Sequence, residues 1–123
     1  RSFMNVIVEL ILSTIFAAAG QVIWKIGMNG LGKIESFDIP TMIKLFTNVY
    51  VDIGLALYGI STIFWLAALS KKDLSFAYPF IAGTYVFVLI LSYFIVGETF
   101  NIYRMIGASV VIAGLFIIVK FGW

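Results

Sequence analysis

Three side chains that a bilayer makes costly share one apolar run, ELILSTIFAAAGQVIWK, residues 9–25: Glu9, Gln21 and Lys25. Ionisable groups inside a membrane span face a bundle interior or a cavity and are functional candidates by default. At 100° and 1.5 Å per residue, Glu9 and Lys25 lie about 160° and roughly 24 Å apart, so they cannot pair within one helix. Gln21 and Lys25 lie about 40° apart on a shared face. Lys25 either snorkels to the head groups or holds a phosphate or carboxylate in a cavity. Gln21 is interhelical glue or a substrate contact. Glu9 pairs with a basic residue at its interface or binds a proton or cation as a coupling carboxylate. Arg104 opens another apolar run as an interfacial anchor or an anion partner. Asp52, Asp73 and Glu98 stand near helix ends and read as caps or turn residues.

No catalytic constellation accompanies these groups. The 123 residues include no Cys and no His, which removes thiol chemistry, imidazole catalysis and the usual zinc or haem sites. Neither a glycine-rich phosphate loop nor a metal-ligand cluster is present. The chain therefore reads as a non-enzyme with no cofactor, and its net charge of +2 is too small and scattered for nucleic acid.

The elements that must carry these residues are membrane helices. Hydrophobic residues make up 63% of the chain and charged ones 11%, against about 45–50% and about 25% in soluble domains. Four runs, residues 3–28, 49–70, 75–96 and 102–121, are each long enough to cross a ~30 Å hydrocarbon core. The expectation is an all-α polytopic membrane protein, one four-helix domain over residues 1–123. The first run reads as a span rather than a cleavable signal peptide, being long and carrying Glu, Gln and Lys.

The cluster Gly27-Met28-Asn29-Gly30 is expected to end the first span. Residues 39–47, with Pro40 near a helix start and Ile39, Met42, Ile43 and Phe46 on one face, predict a short interfacial helix. Asn48 caps the second span. There, Gly54, Tyr58, Ser61, Trp65 and Ala68 form one face that packs on helices or lines a cavity. A polar turn, residues 70–73, leads to a third span with Ser75 as its cap, Pro79 in its first turn, and Tyr78, Ala82, Tyr85 and Ser92 on one face. Gly97-Glu98-Thr99 ends it. In the fourth span Gly107 and Gly114 offer a close-packing face, while Lys120 and Trp123 mark the interface. Arg1, Lys71, Lys72 and Lys120 share the side of the termini; Lys33, Lys44 and Arg104 take the other, joined by Lys25 if it reaches the interface. That count leans to cytoplasmic termini.

Taken in order, Ala19-Gly20-Gln21 with Lys25, Phe64-Trp65-Leu66-Ala67-Ala68-Leu69, Leu74-Ser75-Phe76-Ala77-Tyr78-Pro79, Gly97-Glu98-Thr99 and Ile106-Gly107-Ala108 to Gly114 cover nearly the whole chain. The set resembles the four-helix EamA-like branch of the drug/metabolite transporter superfamily. Within it the likeness is to small flippase subunits that move aminoarabinose-linked undecaprenyl phosphate across the bacterial inner membrane. Small multidrug resistance exporters are more distant. Their essential carboxylate lies eight residues before the first-helix lysine, a place held here by Ala17, whereas Glu9 is sixteen before Lys25.

The resemblance implies a multi-pass protein of the prokaryotic plasma membrane, acting as a homodimer or a heterodimer with a similar subunit, with Gly107 and Gly114 a contact. It implies transport of a polyprenyl-phosphate-linked sugar or similar amphipathic anion, with its tails left among membrane lipids. Lys25, with Gln21 and Arg104, would neutralise the phosphate; Tyr58, Trp65, Tyr78 and Tyr85 would contact sugar or prenyl groups. Two alternatives stand beside it: a cation or metabolite exporter coupled through Glu9, and a non-transporting accessory subunit.

Overall fold

Apolar length and the caps between runs set the helices. A computed structural model describes residues 2–99 and 101–123; Arg1 lies outside the described residues. The order is α1 (Ser2–Leu31), α2 (Ile39–Phe46), α3 (Val49–Leu69), α4 (Leu74–Ala77), α5 (Pro79–Leu91), a π-helical segment (Ser92–Val96) and α6 (Ile102–Phe121). Four stretches, Phe3–Leu31, Val49–Leu69, Leu74–Val96 and Ile102–Phe121, are long and apolar enough to cross a membrane. The protein is an all-α, multi-pass membrane protein, with no strand among the described residues.

Local chemistry explains most boundaries. Asp38 caps α2 by accepting a 3.0 Å bond from the Thr41 amide. Asn48 Oδ1 accepts from the amides of Tyr50 and Val51 at 2.9 and 3.2 Å and starts α3. Asn101 Oδ1 accepts from the Arg104 amide at 3.1 Å and starts α6. These bonds satisfy donors that the first helical turn otherwise leaves open. α2 buries none of its residues and leaves Ile39, Ile43 and Phe46 exposed on one side, the form of a helix lying on a membrane surface.

Two boundaries differ from the sequence expectation. α1 runs through the glycine cluster to Leu31, and the left-handed residue that follows is Gly32, at φ +82°. Gly27 serves packing instead: a Cβ there would stand 2.8 Å from Asn48 Oδ1 and 2.9 Å from Tyr50 Cβ. The third span has Asp73, not Ser75, at its N-cap, and its helix is interrupted at Tyr78. Pro79 has no N–H to donate to the preceding turn. Tyr78 keeps helical dihedrals (φ −57°, ψ −40°), so the span continues as α5. It ends at Gly97, φ +85°, whose amide donates to Ser92 O at 2.9 Å.

α1 and α3 form the tightest pair. A Cβ on Gly20 would stand 2.8 Å from Gly54 O, and one on Gly54 would overlap the Trp24 ring. Ser13 Oγ donates to Ser61 O at 2.8 Å, and Trp24 Nε1 to Val51 O at 3.0 Å. The glycines at the α1–α3 contact are therefore close-packing ones. Gly107 and Gly114 of α6 face open space. α6 leans on α5, with Leu115 over Gly83, and leaves Tyr103, Val110, Phe116 and Ile117 exposed.

The apolar core sits towards one end of the bundle. Val6, Leu10, Ala68, Phe76, Ala77 and Phe80 are buried together, with Leu115, Ile118 and Val119 packed against them. This is the end where α1 starts, α3 ends, the α4–α5 span starts and α6 ends. Polar and aromatic contacts close it further. Lys71 Nζ meets Glu9 Oε2 at 2.6 Å. Lys72 Nζ donates to Trp123 O at 3.1 Å and lies 4.1 Å from the Trp123 ring centroid. Trp123 in turn meets Phe3 and Phe76 edge-on, at 4.8 and 5.2 Å. Beyond this seal α3 and α5 both pack on α1 and leave a space between them.

Candidate substrate cavity

That space is a cavity of about 300 Å³, the lower end of the range of small-molecule sites. α1 supplies Ser13, Thr14, Ala17 and Gln21; α3 supplies Tyr58, Ser61, Thr62 and Trp65. Both sets fall at spacings of three and four, so each lies on one helical face. Phe80, Ile81, Thr84, Tyr85 and Val88 of α5 complete it. Tyr58, Thr62, Ile81 and Tyr85 are exposed, so the mouth opens sideways between α3 and α5.

Five serine and threonine hydroxyls line this volume, and each donates its proton to a backbone carbonyl. Ser13 reaches Ser61 O, Thr14 reaches Leu10 O at 2.7 Å, and Ser61 and Thr62 reach Tyr58 O at 2.7 and 3.0 Å. Thr84 reaches Phe80 O at 3.3 Å. A hydroxyl that has donated keeps acceptor lone pairs, so these five offer acceptors to a guest. The Gln21 amide, the Tyr58 and Tyr85 hydroxyls and the Trp65 indole N–H have no hydrogen-bond partner among the described residues, and they supply donors. No charged side chain among the described residues lines the cavity. A neutral, hydroxyl-rich wall with aromatic faces suits a polyhydroxylated group better than a bare ion.

The residues singled out in the sequence thus divide. Gln21, Tyr58, Trp65 and Tyr85 are brought together here. Lys25 is not: it lies one turn beyond Gln21 on α1, exposed and without a polar partner among the described residues. α1 has 30 residues, about 45 Å of helix, so Lys25 falls on the stretch of α1 beyond the cavity. Tyr78 is exposed at the α4–α5 break and does not line the cavity, although its neighbours Phe80 and Ile81 do. Glu9 is bound to Lys71 at the sealed end; its Oε1 is buried with no hydrogen-bond partner.

Arg104 lines a second cleft, of about 310 Å³, with Ser92, Glu98 and Thr99. Tyr85 and Val88 line both spaces, so the cleft adjoins the cavity. Sequence reasoning passed over Thr14, Thr62 and Thr84, and read Glu98 as a turn residue. The signal for the threonines was their placement, one or four residues from Ser13, Ser61 and Phe80, within otherwise apolar helices.

Comparison with known proteins supplies the family. A probable 4-amino-4-deoxy-L-arabinose-phosphoundecaprenol flippase subunit ArnF of Proteus mirabilis is 31% identical over 118 residues, 88% of this chain and 86% of that protein. The chain belongs to the ArnE/ArnF family of flippase subunits. A probable ArnF of Erwinia tasmaniensis is 32% identical over 90 residues, 72% of this chain and 65% of that protein. The uncharacterized protein y4nH of Sinorhizobium fredii is 31% identical over 70 residues, 56% of this chain and 60% of that protein. The matched stretch thus spans less than two thirds of these last two relatives. No family model matches the chain, and no solved structure gives a significant match.

Proposed function

We propose that the chain is one subunit of an inner-membrane flippase that moves a polyprenyl-phosphate-linked amino sugar, working with a second small subunit. The observation that carries this reading is the uncharged, hydroxyl-lined cavity opening sideways between α3 and α5, in a chain of the ArnE/ArnF family. A sideways mouth lets a sugar head group enter from the bilayer while its polyprenyl chain stays in lipid. Hydroxyl and amide partners replace the water that the sugar loses. Tyr58, Trp65 and Tyr85 offer aromatic faces to the ring.

The reading modifies the role expected of Lys25. It acts at the approach to the cavity, where an exposed cation attracts the phosphate before the sugar is seated. The cytoplasmic placement of the termini, the wider likeness to the drug/metabolite transporter superfamily and the absence of covalent catalysis belong to the same proposal. The partner covers the outer face of α6, where Gly107 and Gly114 allow close approach. Coupled cation export through Glu9 has less support, since Glu9 is spent on Lys71 and no described residue puts a carboxylate in the cavity.

The test is translocation in proteoliposomes that contain this chain and its partner subunit. Replacing Tyr58 and Tyr85 by Ala should abolish movement of the lipid-linked amino sugar while the protein stays folded. Unchanged flux in that double variant would refute the cavity as the pathway.

A further inference from the structure

We propose that the second cleft, between the π-helical end of the third span and the start of α6, binds a head group carrying both a phosphate and a primary ammonium. Arg104 takes the phosphate and Glu98 the ammonium.

Two opposite charges are left unspent in one small space. Glu98 and Arg104 line the same cleft, yet no nitrogen–oxygen pair between them comes within 4.0 Å; the ion pair among the described residues is Glu9 with Lys71. Arg104 donates through Nη1 to Thr99 O at 3.3 Å. That uses one of the five N–H groups of a guanidinium. Glu98 is partly buried, and its carboxylate has no hydrogen-bond or ionic partner among the described residues.

Unpaired charge at the edge of a bilayer is costly. A ligand bearing only phosphate would leave Glu98 unpaired and add a second anion beside it. One bearing only an amine would do the same to Arg104. A guest with both charges satisfies both side chains at once, and the planar fork of Arg suits phosphate oxygens.

Backbone geometry keeps the two groups apart. The Gly97 and Glu98 amides both donate to Ser92 O, at 2.9 and 3.1 Å, closing the π-helical segment beneath Glu98. Asn101 fixes the Arg104 backbone from the other side. π-Helical turns recur at functional sites because they displace side chains from the regular helical register. Since Tyr85 and Val88 line both spaces, a head group held here would lie next to the hydroxyl-lined cavity.

Among membrane components with this chemistry are an amino-sugar phosphate on a polyprenyl chain and phosphoethanolamine on a diacylglycerol. The assignment of Glu98 and Arg104 does not rest on the flippase reading, because the second source satisfies it equally.

The experiment is native mass spectrometry of the full chain in detergent. It is titrated with dihexanoyl phosphatidylethanolamine, with its N-acetylated form, with dihexanoyl phosphatidylglycerol, and with a short polyprenyl-phosphate amino sugar and its N-acetylated form. Expected is binding of at least one amine-bearing probe at least tenfold tighter than its N-acetylated counterpart. Glu98→Gln should remove that preference and leave phosphatidylglycerol binding undiminished or tighter. Arg104→Gln should weaken every phosphate probe at least tenfold, and Arg104→Lys, which keeps the charge should Gln unfold the chain, should recover part of it. A preference for only one amine-bearing probe supports the site and identifies its source. Equal binding of amine and N-acetyl forms, or a preference that survives Glu98→Gln, would overturn it. Unchanged proteoliposome flux in the Tyr58 and Tyr85 double variant, with this preference intact, would fault the flippase reading alone.

Discussion

Gln21 and Lys25 share a face of α1, and that much follows from counting residues. Their separation into a cavity residue and an exposed one depends on where α3 and α5 diverge from α1, which no periodicity in α1 encodes. Gln21→Leu removes the free amide from the cavity wall and preserves shape. We expect weaker lipid-linked sugar binding by about 2- to 10-fold, the effect of one hydrogen bond of ~0.5–1.5 kcal/mol, with an unchanged melting temperature; a binding isotherm in detergent checks it. Glu9 was expected either to pair with a cation at its own interface or to bind a proton, and the geometry has it on Lys71. The pair is partly solvent-accessible, at 39% for Lys71 and 20% for Glu9, so its worth is about 1 kcal/mol or less. Lys71→Met should lower the melting temperature slightly, and the charge swap Glu9→Lys with Lys71→Glu should recover it. A swap that melts below both single variants would speak against the pair.

Helix contacts show which glycines matter. From sequence alone, Gly54 on a mixed face and Gly107 with Gly114 on α6 look equally suited to close packing. Only the partner decides, and α1 presents Gly20 and Trp24 to Gly54, whereas no described residue comes within 4 Å of a Cβ placed on Gly107 or Gly114. Gly54→Ala should therefore destabilise the fold by about 1–3 kcal/mol through overpacking. Gly107→Ala should leave the isolated chain unchanged. Thermal melts of the two variants, side by side, distinguish these outcomes.

The interfacial helix was legible because its cap, its proline and its apolar face all lie within one short segment. Thr41, through its hydroxyl and its amide, holds the Asp38 carboxyl below its ordinary value of 3.8. A lowered carboxyl contributes stability that is present above 3.8 and is lost as pH falls through the lower folded value. The Thr41 amide resonance should accordingly titrate with a midpoint below 3.8. Asp38→Ala should fray α2 at all pH values and leave the four spans intact.

At the scale of the molecule, the asymmetry between the two ends organises the account. One end is packed with apolar side chains and closed by Glu9–Lys71, Lys72–Trp123 and the Phe3–Trp123–Phe76 ring contacts. The other holds the cavity, the second cleft and the exposed Lys25. The count of spans and the all-α class were readable from composition and run length. The asymmetry was not, because it arises from which helices touch, and the sequence shows only which faces are able to. α6 gives Arg104 to the second cleft and no residue to the cavity lining, and it keeps its outer face exposed, as a chain built to sit against a partner subunit would.

The most direct measurement is photo-crosslinking with a polyprenyl-phosphate amino sugar that bears a diazirine on the sugar ring, in membranes holding this chain and its partner. The account predicts adducts on Gln21, Tyr58 or Tyr85, competed away by the unlabelled lipid. Adducts confined to the lipid-facing surface of α6, or none on the cavity helices, would contradict it.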